Sequence, residues 1–292
     1  MLELVQAQLI PDFRVKSHKG MAGRVGVIGG SAEYTGAPYF SAMCALRTGC
    51  DLAHVFCLPA AAPVIKSYSP DLIVHPLLGS PDETTVTENI GPWLPRLHTL
   101  VIGPGMGRDP DVLQCVSHII ALCRKERKPL VVDADGLWLA MQHPEIFLDY
   151  PAPLVLTPNA PEYERLAQVL LSRRSARSVS EALGPNTVVV QKGAEDKIEG
   201  VNGETILCSA EGSWRRCGGQ GDLLSGSLGT FLGWEIYQQL QGGAQTGMLA
   251  AYAACHLTRE CNKRAFQRLG RSACASDMLQ EVHAAFEMLY GQ

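Results

Sequence analysis

A chain of 292 residues is long for one domain but within reach of a single large α/β unit, and it can bury a sizeable core. Its 46% hydrophobic and 18% charged residues are those of an ordinary soluble enzyme, and a net charge of −4 leaves no basic footprint for nucleic acid or acidic membranes.

The ten cysteines, among them Cys44, Cys57, Cys115, Cys123 and Cys255, are scattered through apolar runs with no C-x-x-C pair and no histidines at zinc spacing. They read as buried thiols of a reducing compartment. Met1-Leu2-Glu3-Leu4 lacks a basic region leading into an apolar core, and no run approaches the ~18 apolar residues of a membrane span. The expected location is the cytoplasm, or the mitochondrion if a leader precedes this chain.

Short apolar runs alternate with helical patterns. Arg24-Val25-Gly26-Val27-Ile28 reads as a buried strand broken by Gly29-Gly30, and Pro38 opens a helix that ends near Gly49. Strands are expected at Leu52 to Leu58, Leu72 to Val74, Thr99 to Ile102, Leu130 to Val132, Leu154 to Leu156 and Thr187 to Gln191. Between them lie helices from Pro63 to Tyr68, Pro110 to Arg127 and about Pro161 to Leu171. This alternation implies a mostly parallel sheet covered by helices on both faces, with ligands at the C-terminal strand ends. Ser172 to Ser180 reads as a mobile surface segment.

The grammar then changes. Lys197 to Val201 and Glu204 to Cys208 flank Asn202-Gly203, a hairpin dipeptide. The remainder is helical: Ala244 to Arg259 is Ala-rich, and Met278, Leu279, Val282, Phe286 and Leu289 form one apolar stripe on a last helix. One domain is the simplest count.

Before those helices comes Arg215-Arg216-Cys217-Gly218-Gly219-Gln220-Gly221-Asp222, followed by Leu223, Leu224, Leu228, Phe231 and Leu232 at helical spacing. Gly221 and Asp222 therefore start a helix, where free N–H groups and the dipole favour anions. Glycines admit phosphate oxygens with no Cβ in the way. Asp222 then has a task as proton acceptor from a hydroxyl, or it only caps the helix; the stretch alone does not separate these readings. Cys217 reads as a small residue lining the loop, with no histidine or acid adjacent to activate it.

Other strand ends carry polar loops. Gly26-Val27-Ile28-Gly29-Gly30-Ser31 departs from a dinucleotide fingerprint in spacing, and Asp51 precedes the second strand instead of ending it. Ser31 to Pro38 reads as a ligand-contacting loop or a solvated turn. Gly103-Pro104-Gly105-Met106-Gly107-Arg108 reads either as a tight turn that its glycines permit or as a loop whose Arg108 reaches a phosphate. Asn159-Ala160-Pro161-Glu162 fits a ligand site and, equally, a capping box. Lys192-Gly193-Ala194-Glu195-Asp196 supplies a cation at a strand end.

Together these residues resemble the ribokinase-like superfamily, whose N-x-x-E motif matches Asn159 to Glu162 and whose G-x-G-D motif matches Gly219 to Asp222. The resemblance is closer to its ATP-dependent NAD(P)H-hydrate dehydratase family. Residues carrying it are His18-Lys19-Gly20, Gly29 to Pro38, Ser69 to Pro76, Gly103 to Arg108, Asp133-Ala134-Asp135-Gly136-Leu137-Trp138 and Arg215 to Asp222, within roughly residues 14 to 290. The implied fold is a ribokinase-like three-layer sandwich. Gly-Gly-Gln-Gly-Asp suits the eukaryotic, ATP-using branch, whereas Leu170 to Pro185 is shorter than that branch usually has.

The resemblance implies that ATP drives removal of the C6 hydroxyl from hydrated NADH or NADPH. Asp222 would take the hydroxyl proton as the oxygen attacks the γ-phosphate, and N–H groups of Gly218 to Gly221 would stabilise the developing charge. Residue by residue, Gly107, Asn159, Ala160, Pro161, Glu162, Tyr163, Glu164, Arg165 and Asp222 would contact the hydrated dinucleotide. The ATP site would comprise Lys192, Gly193, Ala194, Glu195, Asp196, Gly212, Ser213, Trp214, Arg215, Arg216, Cys217, Gly218, Gly219, Gln220 and Gly221. Mg²⁺ is implied as the nucleotide's companion, with Asn159 and Glu162 in the motif that organises it. The expected partners are these small molecules, with neither nucleic acid nor membrane, and apolar helix faces permit a homo-oligomer without specifying one. Two other readings stay open: a kinase of the same superfamily acting on a sugar or vitamin-precursor alcohol, and a catalytically silent nucleotide-binding protein.

Overall fold

The computed structural model describes residues 1–12, 19–172, 174–200, 203–239 and 247–291. His18, Val201, Asn202, the Arg173 of the expected mobile segment and the first residues of the helix expected from Ala244 lie outside the described residues.

The chain opens with α1 (Leu2–Gln8), β1 (Arg24–Ile28), α2 (Gly36–Thr48), β2 (Leu52–Phe56), α3 (Ala62–Tyr68) and β3 (Ile73–His75). It continues through α4 (Glu83–Ile90), a 3₁₀ turn, β4 (Thr99–Ile102), α5 (Pro110–Lys125), β5 (Leu130–Val132), α6 (Asp135–Gln142), β6 (Leu154–Leu156), α7 (Ala160–Leu171), α8 (Val179–Leu183) and β7 (Thr187–Gln191). The hairpin β8 (Asp196–Glu199) and β9 (Thr205–Cys208) precedes α9 (Gln220–Gln239), α10 (Met248–Leu269), α11 (Ala275–Gln280) and α12 (Val282–Tyr290).

The nine strands form one sheet in the order β3-β2-β1-β4-β5-β6-β7-β8-β9. Pairing is parallel from β3 to β7 and antiparallel across β7, β8 and β9, as the hairpin signal implied. Alternation along each strand divides the core in two. Val101, Val131, Val155 and Val188 face the layer built from α2, α9, α10 and α12, whereas Leu100, Ile102, Leu130, Leu154 and Val189 face α5, α6 and α7. Three layers result, helix on sheet on helix.

Helix α9 lies unusually close to its neighbours because one face is glycine. A Cβ at Gly226 would collide with the Ser41 carbonyl oxygen of α2, and one at Gly229 would press on Val25 and Val101. Hydrogen bonds exploit the approach: Thr230 donates to Ala45 O at 3.1 Å, and Thr99 to Gly229 O at 2.8 Å. Buried Glu235 then accepts from Gly247 N (3.1 Å) and Ala250 N (3.0 Å), terminating α10 from outside that helix. Burial outweighs those two bonds and raises its pKa.

Several expectations change. The apolar stripe on the last helix runs over two helices, α11 and α12, which break at Glu281; the heptad-like spacing continues across a break in the backbone. Asp135-Gly136 forms the first turn of α6, a helix the strand-and-helix pattern did not include, and Gly136 lets the chain pass Ile102 O where a Cβ could not fit. The expected mobile segment is tied down at its far end: Ser178 caps α8, and buried Ser180 donates to Glu199 Oε1 (3.0 Å) and Gly200 O (2.9 Å). Arg174 reaches Asp149 at 2.8 Å.

Candidate active site

The sheet order reverses between β1 and β4, and the loops after those two strands are fastened together. Gly30 N donates to Gly105 O at 3.1 Å, and Gly29 lies against the Pro104 carbonyl where any side chain would clash. Gly107 N donates to Asp135 Oδ2 at 3.0 Å, while Arg108 pairs with Asp135 Oδ1 at 2.9 Å and lies 4.6 Å over the Trp138 ring. The sequence reads this loop as a turn or as a phosphate contact, and the Arg108 guanidinium is engaged in holding its own loop.

Two residues earlier, directly after β5, Asp133 turns the opposite way. It is buried and accepts from Lys192 Nζ at 2.9 Å, which joins the ends of β5 and β7. Between the two aspartates Ala134 has φ 49° and ψ −120°, a conformation that suits glycine. That twist directs Asp133 to Lys192 and Asp135 to Gly107.

Helix α9 aims its start at this pair. A Cβ on Gly221 would stand 3.5 Å from both Asp133 Oδ2 and Lys192 Nζ, so the bare helix start faces the ion pair directly. Asp222, in the same first turn, is held well above the ordinary carboxylate pKa, first by burial and then by the Asp133 charge, with Lys192 opposing both. Burial alone would depress Lys192; Asp133, with Glu162 and Asp222, outweighs it and raises the Lys192 pKa. A raised carboxyl beside a fixed cation at a helix N-terminus is the electrostatics expected of a general base facing phosphate.

A cleft of about 620 Å³ opens beside the α9 start. Asn159, Lys192, Gly193, Ala194, Asp196, Gly212, Ser213, Arg216, Cys217, Gln220 and Gly221 line it, which gathers most of the expected nucleotide residues into one place. Its back is α10, through Cys255, Thr258, Arg259 and Asn262. Glu195, Trp214, Arg215, Gly218 and Gly219 do not line it. Trp214 is exposed, packed on Phe266 at 5.0 Å with Arg271 4.9 Å over its ring. Gly219 is at φ 92° against Ala275 and Phe40, and Gln220 Nε2 braces the loop by donating to Arg215 O at 3.1 Å. Burial raises the Cys217 thiol, the opposite of an activated thiolate and in keeping with a lining role.

Asn159 and Glu162 form the capping box: Asn159 Oδ1 accepts from Glu162 N (3.0 Å) and Glu162 Oε2 from Asn159 N (2.8 Å). Asn159 also bridges to Lys192 across β6 and β7, so the cap is also the cleft wall. Farther along α7, Tyr163 donates to Glu199 at 3.4 Å, and Ala160, Pro161, Glu164 and Arg165 are exposed. Gly107 stands with Asp135 and Ser31 in the neighbouring loop pair.

Three residues of the site escape a reading of the sequence. Asp133 lies inside a recognised motif, but its partner is 59 residues away. Arg259 and Asn262 look like the polar side of an Ala-rich helix; only their spacing of three, which puts them on one face, hints at a shared task.

A parallel sheet extended by an antiparallel hairpin, with a glycine-started helix over a cleft at the strand ends, is the ribokinase-like architecture. A ribokinase-like superfamily protein from Enterococcus faecalis superposes with a TM-score of 0.75 at 20% identity, over 100% of this chain and 96% of that one. An ADP/ATP-dependent NAD(P)H-hydrate dehydratase from Bacillus subtilis, co-crystallised with ATP and Mg²⁺, gives 0.73 at 21% identity, over 99% and 97%. The chain belongs to the NAD(P)H-hydrate dehydratase family, whose model matches residues 25–284. Among its relatives, the ATP-dependent (S)-NAD(P)H-hydrate dehydratase of Homo sapiens is 51% identical over 99% of this chain and 84% of that protein. The Aedes aegypti protein of the same name is 48% identical over 97% and 83%. No helix among the described residues is long and apolar enough to cross a membrane.

Proposed function

We propose that this chain dehydrates (S)-NADH-hydrate and (S)-NADPH-hydrate to NADH and NADPH at the expense of ATP, releasing ADP and phosphate, as a carbon–oxygen lyase that repairs nicotinamide nucleotides. The observation that carries the reading is the start of α9: Gly221 bare against the Asp133–Lys192 pair, with Asp222 in the same turn. Hydroxide is a poor leaving group and phosphate a good one, so a kinase fold suits a dehydratase. Asp222 takes the proton of the C6 hydroxyl while its oxygen attacks the γ-phosphorus and ADP departs. The free N–H groups of the first α9 turn and Lys192 hold the charge that develops on the phosphoryl oxygens. The ring nitrogen's lone pair then breaks the C6–O bond, phosphate leaves, and loss of the C5 proton restores the dihydronicotinamide.

The nucleotide is assigned to the cleft between Lys192–Asp196 and Gly212–Gly221, and the hydrated dinucleotide to the side of Gly107 and the start of α7. Among the described residues no three His, Cys, Asp or Glu side chains converge on one point. Mg²⁺ would accompany the nucleotide phosphates, with Asn159 and Glu162 as the protein groups nearest in role. The ion would neutralise phosphate charge. Both core faces share the one sheet, which supports a single working domain.

The test is a turnover assay with hydrated NADH, Mg²⁺ and ATP, following the return of near-ultraviolet absorbance, with ADP replacing ATP in a parallel sample. Recovery with ATP is the expected result. No recovery with either nucleotide, from folded protein that binds ATP, would point to a kinase acting on another alcohol.

A further inference from the structure

We infer that Arg259 and Asn262 of α10 are positioning residues that hold the two walls of the cleft at a fixed separation and thereby set affinity for ATP. The inference rests on the assignment of this cleft to the nucleotide.

One wall is the turn between β7 and β8, and the other is the connection from β9 to α9. Arg259 reaches both. Its Nε donates to Asp196 Oδ2 at 2.7 Å, its Nη2 to Gly193 O at 3.0 Å, and its Nη1 to Ala194 O at 2.8 Å on the first wall and Ala210 O at 3.2 Å on the second. Asp196 completes the first wall by accepting from Gly193 N at 3.0 Å. One turn along the same face, buried Asn262 accepts from Ser213 N at 2.6 Å and donates to Arg215 O at 3.3 Å on the second wall.

The second wall is also braced locally, by Ser213 Oγ on Arg215 N (3.2 Å) and by Gln220 on Arg215 O, but those bonds lie within it, whereas Arg259 fastens it to the first wall. Gly193, Ala194, Gly212 and Ser213 carry minimal side chains, and a chain free to spread must be ordered when a nucleotide binds. Arg259 lines the cleft, so direct contact with a phosphate is the competing role. Four of its five N–H donors are already given to chain atoms, and its ion pair with Asp196 is nearly buried, at 12% and 10% side-chain exposure. Asp222, Lys192 and Asp133 are untouched by either residue, so the ties bear on binding and not on proton transfer.

Lysine separates the two roles. Arg259→Lys keeps the charge and loses the fork, so it would largely rescue a point contact with phosphate but not a four-point tie. For Arg259→Lys and, separately, Asn262→Ala, ATP dissociation constants by calorimetry and steady-state constants for both substrates are measured beside the wild type. The expected result is a rise of about tenfold in Kd and KM for ATP in each variant, with kcat and the KM for hydrated NADH within about twofold. Wild-type ATP affinity in Arg259→Lys, or losses shared equally by both substrates, would overturn the inference. So would a fall in Tm with no change in ATP affinity. Should Arg259→Lys not fold, Asn262→Ala decides on the same criteria. A wild-type protein that binds no ATP would remove the nucleotide assignment itself, and this inference with it.

Discussion

Gly221 stands where a side chain would touch both members of the Lys192–Asp133 pair: a Cβ there lies 3.5 Å from Lys192 Nζ and 3.5 Å from Asp133 Oδ2. Those are ordinary van der Waals distances, so Gly221→Ala should fold with little change in Tm. The methyl group would occupy the space proposed for the transferred phosphoryl. Turnover is expected to fall at least about tenfold with stability nearly intact, a loss of about 1.4 kcal/mol of transition-state stabilisation. Thermal melts beside steady-state rates check this.

Asp222→Asn removes the proton acceptor and keeps the loop. A fall in turnover of about 10²–10⁴ is expected, with ATP binding by calorimetry largely retained. The same residue governs two pH dependences. Turnover needs the carboxylate, so its acid limb should lie above the ordinary carboxylate value of 3.8. A raised pKa means the folded state holds the proton more tightly than the unfolded chain. The Asp222 contribution to stability is therefore present below 3.8 and is lost as pH rises through the raised folded value. Asp222→Asn should accordingly melt higher than wild type at neutral pH; a lower Tm would contradict the buried-charge account.

Lys192→Ala leaves Asp133 buried with its cation gone. A loss of about 3 kcal/mol in unfolding free energy is expected, together with weaker ATP binding. Adding Asp133→Asn should restore much of the stability and none of the affinity, because it removes the orphaned charge but supplies no partner for phosphate. Denaturant titration and calorimetry on the double-mutant cycle separate the two effects.

Ala134 occupies φ 49° between two aspartates that serve different loops. Ala134→Gly should relieve strain and stabilise the fold by about 1 kcal/mol after the entropy of the unfolded glycine is counted. Chemical denaturation tests the sign. A bulky β-branched residue there should instead disturb both Asp133 and Asp135 and lower turnover.

The strands β1, β4, β5, β6 and β7 were legible because each is a run of β-branched and aliphatic residues buried on both sides, with no competing helical period. Helices α4, α6 and α8 were not, being five to eight residues long and too short to show a period. Lys192, Gly221 and Asp222 could be read because their local settings, a strand end and a glycine-led helix start, are written in adjacent residues. The Asp133–Lys192 and Asp196–Arg259 pairs could not, since they join positions 59 and 63 residues apart and exist only once the sheet order is known. Asn159 and Glu162 stood between capping and ligand binding; the structure shows the cap, and Asn159 of the pair also lines the cleft.

The contact of Gly226 with the Ser41 carbonyl acts as a datum for the reacting end of the molecule. Gly226 and Gly221 are five residues apart on one continuous helix, about 7.5 Å along its axis. Because backbone rests on backbone there, with Ser41 and Ser225 hydroxyls 3.3 Å apart beside it, no side-chain rotamer can absorb an axial slip of α9 against α2. The height at which the first turn meets the Asp133–Lys192 pair is thus gauged from a point deep in the helical layer, well away from any ligand. Substitutions at Ser41 or Gly226 would miscalibrate that height while leaving every residue of the cleft chemically intact.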